Sequence, residues 1–369
     1  MLGYCTNVHA GETIDEVIAN LHNYASAVQH QVGSPIEVGL WLPATSLCEQ
    51  TSVKLKECLE TLNLRVRSFN GFPFGNFHDT IVGRAVYEPN WCEEERLTYT
   101  QQLATLLSRL LPENKSGSIS TLPLGWGEGW DGDQQAAKML VRCIDFLEDI
   151  EQTSQQLIHL DIEPEPGCRL QTACDLAEFI QKQFGDEERV RRYIRVCYDT
   201  CHGAVMRENP QDSLNTYSQV GLSIGKVQLS SAIDVDFDLL SQEERVVATE
   251  ALRSLAEPRY LHQTTVVRNG VMEFYNNLSN APLDDPVGHW RVHFHVPIHN
   301  KTFGPLGTTQ TDLIQSLHHL PVDDATQLEV ETYTWDVMPS VFQENELINS
   351  IALEICWANE QLNQVGKDE

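Results

Sequence analysis

The chain has 369 residues and carries 25 basic against 53 acidic side chains, a net charge of −28. That charge repels phosphate backbones and anionic bilayers, and no apolar run approaches the roughly 20 residues of a spanning helix, so nucleic acid is set aside as a partner and direct membrane insertion as a location. The ten cysteines fall inside predicted helices and strands, and the start Met-Leu-Gly-Tyr has neither a basic nor an apolar leader segment, so reduced thiols and a cytoplasmic location are expected.

Strand and helix patterns alternate along the chain. Residues 2–8 read as a strand, and 12–32 as a helix with Ile14, Val17, Ile18 and Leu21 on one face. Strand 37–42, helix 46–62 and strand 64–69 come next, then a loop rich in Gly and Pro to His78. Helix 93–111, strand 118–122, a turn-rich exit and helix 134–155 continue the chain. Strand 157–162 stops at Glu163, followed at once by Pro164-Glu-Pro-Gly. Helix 172–184, a strand ending at Asp199, helix 210–220 and a strand ending at Gln228 keep up the alternation. Helix 309–320, strand 328–334 and helix 346–363 complete it. Repeated crossovers through helices imply a parallel sheet. The nine strand-like runs exceed an eight-stranded (β/α)8 TIM barrel by one, at 292–298. We therefore expect a single domain over 1–369 with an insertion at about 231–306 between strands 7 and 8, containing a helix at 243–255.

In such a barrel every strand C-terminus opens on one face, so Glu163, Asp199, Gln228 and Glu331 are expected to converge on a divalent metal. All-oxygen ligation suits Mg or Mn, and histidine ligands would favour Zn. Each acid also has a structural reading, as half of a salt bridge or as a helix cap. Asp199-Thr-Cys-His202 offers two ligands in one turn, or an N-cap and a loop histidine. His293 and His295 alternate along 292–298 and share one side of the expected strand, as a metal pair or as hydrogen-bonding residues. His9, His78 and His262 are candidates for the same mouth. Cys197 and Cys201 read as packing residues. The Gly125-x-Gly-x-Gly129 run lacks a following Lys and reads as turn chemistry. Phe69, Phe72, Phe74, Phe77, Trp126 and Trp130 either wall a pocket or cover the barrel mouth.

The four strand ends resemble the xylose-isomerase-like barrels, the sugar isomerases and epimerases related in fold to endonuclease IV. The family's Glu, Asp, His-or-Gln, Glu metal set then falls on Glu163, Asp199, Gln228 and Glu331. Gln228 in Lys226-Val-Gln-Leu is similar to the hydroxypyruvate-isomerase-like branch, and His293-Phe-His295 to the nuclease's Asp-x-His pair, with His in place of Asp. Longer blocks resemble the EboE-like metabolite-traffic proteins: Leu2-Gly-Tyr-Cys-Thr-Asn-Val-His9, Asn70-Gly-Phe-Pro-Phe-Gly, Tyr260-Leu-His-Gln, Arg291-Val-His-Phe-His-Val-Pro297, Phe303-Gly-Pro-Leu-Gly-Thr-Thr309 and Glu329-Val-Glu-Thr-Tyr-Thr-Trp-Asp336. This second resemblance implies a small-molecule metabolite as ligand and, as partners, other ebo-cluster proteins including membrane components.

The expected function is that of a metal-dependent isomerase or epimerase acting on a small hydroxy-carbonyl metabolite. Glu163 and Glu331 would take and return a carbon-bound proton, and His202 would orient substrate or hold a second ion. The alternatives are a non-catalytic cytoplasmic protein that binds a metabolite and hands it over for export, and a zinc phosphodiesterase of endonuclease IV type.

Overall fold

The computed structural model describes residues 2–113, 115–321 and 326–368. Eight parallel strands close into a barrel: β1 (Leu2–Cys5), β2 (Glu37–Trp41), β3 (Arg65–Asn70), β4 (Gly117–Thr121), β5 (Ile158–Ile162), β6 (Ile194–Asp199), β7 (Ile224–Leu229) and, last in the chain, β14 (Gln327–Val330), which pairs with both β1 and β7. Helices cross back between successive strands, as parallel pairing requires. Between β7 and β14 the chain builds a separate antiparallel sheet. Its strands are β8 (Ile233–Asp236), β9 (Thr264–Arg268), β10 (Val271–Tyr275), β11 (His289–Val292), β12 (Thr302–Phe303) and β13 (Leu306–Thr308), in the order β10-β9-β11-β8-β13-β12. The helix Gln242–Leu255 lies within the same stretch.

The local chemistry explains these elements. Three helices open on capping boxes: Thr13 with Glu16, Thr172 with Asp175, and Ser241 with Glu244, each pair exchanging side-chain and backbone bonds. In β5, Ile158, Leu160 and Ile162 join the apolar core, while His159 and Asp161 alternate to the other face and meet groups inside the barrel. The interior is accordingly polar where many barrels are aliphatic.

Several expected boundaries move. Residues 6–8 form a 3-10 turn and not the end of β1, and β14 stops at Val330, leaving 331–334 outside the strand. The strand expected over 292–298 is a correction of the same kind. β11 ends at Val292 because its neighbours β8 and β9 both end there. The next N–H groups are taken by loops instead, His293 N–H by the Gln263 carbonyl and Val296 N–H by the Ser231 carbonyl, each at 2.9 Å. Among the described residues no helix is long and apolar enough to cross a membrane, and all ten cysteines are free thiols.

Candidate metal centre

Four of the eight parallel strands each deliver one oxygen ligand at or just past the C-terminal end. Glu163 comes directly after β5, Asp199 closes β6, Gln228 lies one residue from the end of β7 and Glu331 comes directly after β14. All four are buried. Carboxylate oxygens of Glu163, Asp199 and Glu331 lie within 4.8 Å of one another, and Gln228 Nε2 donates to Glu331 Oε1 at 3.0 Å. The same Glu331 oxygen accepts from Asn7 Nδ2 at 2.8 Å and Asn70 Nδ2 at 3.1 Å. Three amides therefore hold one oxygen.

Three other oxygens of the set have no such partners. Glu163 Oε2, Asp199 Oδ2 and Gln228 Oε1 are buried and without a hydrogen bond, an arrangement that costs about 1–3 kcal/mol per group, and more for a charge, unless something else binds there. Burial, then the charges of Glu331 and Asp199, push the Glu163 carboxyl well above the usual range. Burial and Asp199 likewise push Glu331 up to about 8, against the pull of Lys226 and the Asn7 amide. At Asp199 burial acts in the same upward direction, but His202, His295 and hydrogen bonds from His202 N–H and Ser230 outweigh it, and the carboxyl lies below its ordinary value. Crowded, desolvated carboxylates with unfilled oxygens fit a divalent cation, which reverses the penalty for their charge. The residues present thus suit the metal expected from the sequence.

Asp199 reconciles its two sequence readings. Its Oδ1 caps the helix Thr200–Val205, accepting His202 N–H at 2.9 Å and the Ser230 hydroxyl at 2.8 Å. Its Oδ2 is left without a hydrogen-bond partner.

Three imidazoles meet beside this set. His202 Nε2 lies 3.2 Å from His293 Nε2, which lies 3.2 Å from His295 Nε2. Each opposite ring nitrogen faces an acceptor: Pro164 O at 3.0 Å, Gln263 Oε1 at 2.7 Å and Glu331 O at 2.8 Å, respectively. The Gln263 amide is oriented by its own NH2, which donates to Pro166 O at 2.9 Å. A proton on each Nδ1 satisfies these acceptors and leaves the His293 Nε2 lone pair between the Nε2 atoms of His202 and His295. Burial first, then the neighbouring rings, hold His293 well below the usual imidazole range; burial first brings His295 to about 4, with Asp199 opposing. His293 and His295 are thereby held neutral, the form a metal takes.

Other sequence candidates fall outside this centre. His262 stands behind it, its Nδ1 on the His293 carbonyl and its Nε2 on Glu257, both at 2.9 Å. His78 bonds the Asn7 carbonyl at 2.7 Å. His9 bonds Tyr4 and stacks on Tyr24, away from the cluster. Cys201, read as packing, has its thiol within 4.8 Å of nitrogens of both His293 and His295. Glu165 is a buried acid the sequence reading missed, although it stands two residues from Glu163; it accepts from Tyr87 OH at 2.8 Å and Gln263 Nε2 at 3.2 Å. Asn7 and Asn70 were also missed.

A cavity opens above the carboxylates, with Phe72 and Phe77 among its walls. Phe69 is in the core, Phe74 packs on Tyr99, and Trp126 and Trp130 border a different groove. The glycine run at 125–129 is turn structure, with Gly127 N–H bonded to Gly167 O at 2.9 Å.

No protein-family model matches the chain, and no curated protein matches it. Solved structures do. A xylose isomerase-like TIM barrel protein from Mycobacterium smegmatis, in complex with magnesium, aligns over 99% of this chain and 97% of its own, with TM-score 0.51 at 10% identity. An L-ribulose 3-epimerase aligns over 100% and 96%, with TM-score 0.48 at 11% identity. The IOLI protein, with a zinc atom, aligns over 99% and 97%, with TM-score 0.48 at 13% identity. The fold is thus a xylose-isomerase-like TIM barrel.

Proposed function

We propose that this chain is a metal-dependent isomerase or epimerase acting on a small hydroxy-carbonyl metabolite. The observation that carries this reading is the set of unpartnered buried oxygens on Glu163, Asp199 and Gln228, gathered beside Glu331 at one end of the barrel. These four side chains would hold Mg or Mn, in keeping with the magnesium of the M. smegmatis barrel. His202, His293 and His295 form a second, nitrogen-rich position that favours Zn. A divalent ion bound at the oxygen set supplies Lewis acidity to adjacent carbonyl and hydroxyl oxygens, which acidifies the hydrogen on the carbon between them.

The chain's own residues do the rest. Glu163, with one oxygen free, and Glu331, fixed by three amides, take the proton from carbon and return it. His202, its Nδ1 proton committed to Pro164 O, presents Nε2 as an acceptor that orients a substrate hydroxyl when no ion occupies that place. The six sequence blocks support assignment to the EboE-like metabolite-traffic proteins, with other ebo-cluster proteins, membrane components among them, as partners in the cytoplasm. A handover protein that binds the metabolite unchanged uses the same cavity. A zinc phosphodiesterase would draw on the same imidazoles, but no Arg or Lys lines the cavity among the described residues to meet a phosphate.

The test is metal-loaded protein incubated with hydroxy-carbonyl compounds in deuterated water. Exchange of the carbon-bound hydrogen, lost in Glu331→Gln, is the expected result. Tight binding without exchange sinks the catalytic reading in favour of handover.

A further inference from the structure

The cavity has two unlike halves. Its floor is polar, with Asn7 and Asn70 beside Glu163, Glu165, Glu331, His202 and His293. Its walls are carbon: Phe72, Phe77, Val82, Val86, Tyr260 and Leu261. Phe77, Tyr260 and Tyr333 pack on one another with ring centroids 5.0 to 5.1 Å apart. Their hydroxyls are already engaged: Tyr260 OH donates to Phe77 O at 3.0 Å, and Tyr333 OH lies 3.4 Å from His293 Nε2 at the floor. The wall therefore offers few groups to pair with a hydroxyl.

Two substrate classes fit badly. A free sugar carries a hydroxyl on nearly every carbon, and each one pressed against this wall without a partner loses about 1–3 kcal/mol of its hydrogen bonding to water. A phosphorylated sugar would meet three floor carboxylates and no Arg or Lys among the described lining residues. Resting on the isomerase reading for the polar end, we infer that the substrate is a non-phosphorylated hydroxy-ketone or hydroxy-aldehyde whose other end is an aromatic or alicyclic body. The polar end lies on the floor, and the ring lies against Phe77 and Tyr260.

The experiment compares three probes on the full chain loaded with Mg, Mn or Zn: 2-hydroxyacetophenone, fructose and fructose 6-phosphate. Affinity is read by calorimetry and hydrogen exchange by NMR in deuterated water. The aryl ketone should bind at least tenfold tighter than fructose, with fructose 6-phosphate weakest. Val86→Asn and the milder Phe77→Leu, each checked for an unchanged melting profile, should reduce that preference severalfold, chiefly by weakening binding of the aryl ketone. Preferred binding of the aryl ketone without exchange upholds the inference and removes the isomerase reading. Preferred binding and exchange of fructose does the reverse. An aryl ketone that binds no tighter than either sugar overturns the inference.

Discussion

Two layers of side chains inside the barrel use the same acidic chemistry and come to opposite ends. The lower layer holds Asp161, Lys226 and Glu329; the upper holds Glu163, Gln228 and Glu331, two residues further along the same parallel strands or about 7 Å towards their C-terminal ends. In the lower layer each acid is answered. Lys226 Nζ lies 2.8 Å from Glu329 Oε2, and Ser68 donates to the other oxygen. Asp161 meets His159 Nδ1 at 2.6 Å and Ser118 Oγ at 2.5 Å. Gly39 leaves room for this packing, since a Cβ there would collide with the Glu329 carboxylate. Burial works against the Lys226 charge, but Glu329 beside it holds its pKa well above the ordinary lysine range. The upper layer has donors on one Glu331 oxygen and leaves Glu163 Oε2 and Gln228 Oε1 bare. Acids compensated within the fold hold the barrel together, and acids left uncompensated make a place for a ligand.

The largest effect that would break this comparison is on exchange. Glu331→Gln should lower hydrogen exchange by about 10²–10⁴-fold, the usual worth of a positioned proton carrier, with the urea midpoint of the metal-free protein unchanged or higher, since a crowded charge is removed. A loss of folding in this variant would make the upper layer structural. In the lower layer the reverse holds: Lys226→Met leaves Glu329 buried without its cation and should cost about 3–5 kcal/mol in urea unfolding. A neutral outcome there would erase the distinction between the layers. Third in size is linkage to metal: at a hundredfold excess over Kd, a bound ion should stabilise the protein by about 2.7 kcal/mol, read as a shift in Tm on adding Mg or Zn. Asp199→Asn keeps an oxygen able to cap the helix but removes the charge, so it should retain metal-free stability and lose much of that shift.

The upper layer was partly legible in the sequence because the residues just beyond a strand mark where it ends. Pro164 and Pro166 stop β5 at Glu163, and the parallel barrel does the rest by bringing strand ends to one face. The lower layer was legible in principle, in the Ile-His-Leu-Asp-Ile-Glu alternation of β5, though the eye is drawn to its aliphatic half. Asn7 and Asn70 carry no local signal. They meet on Glu331 only because β1, β3 and β14 close the same cylinder. The pairing of His293 with His295 could be read from two-residue alternation, and that spacing survives even though the strand stops at Val292. What the sequence did not reveal was that His202 reaches them, a contact fixed by the Pro164 and Gln263 acceptors from separate loops.

A third kind of buried acid sharpens the contrast by the smallest margin. Glu354, on the helix Leu347–Asp368, is held by two neutral donors, Thr332 Oγ1 at 2.7 Å and Ile298 N–H at 3.1 Å. Burial pushes its carboxyl from 4.5 up to about 7, and the two hydrogen bonds only oppose the shift. The sign depends on which state holds the proton more tightly, here the folded one. Below pH 4.5 both states are protonated and ionisation costs nothing. Between 4.5 and 7 the unfolded chain ionises first and stability falls, and above 7 the loss is complete. Glu354→Gln can still accept both hydrogen bonds and cannot ionise, so it should match the wild type at pH 4 and exceed it at pH 8, measured as urea midpoints across that range. Equal midpoints at pH 8 would mean that two neutral donors suffice to hold a buried carboxylate charged. In that case the bare oxygens of the upper layer, and not burial as such, would be what calls for a cation.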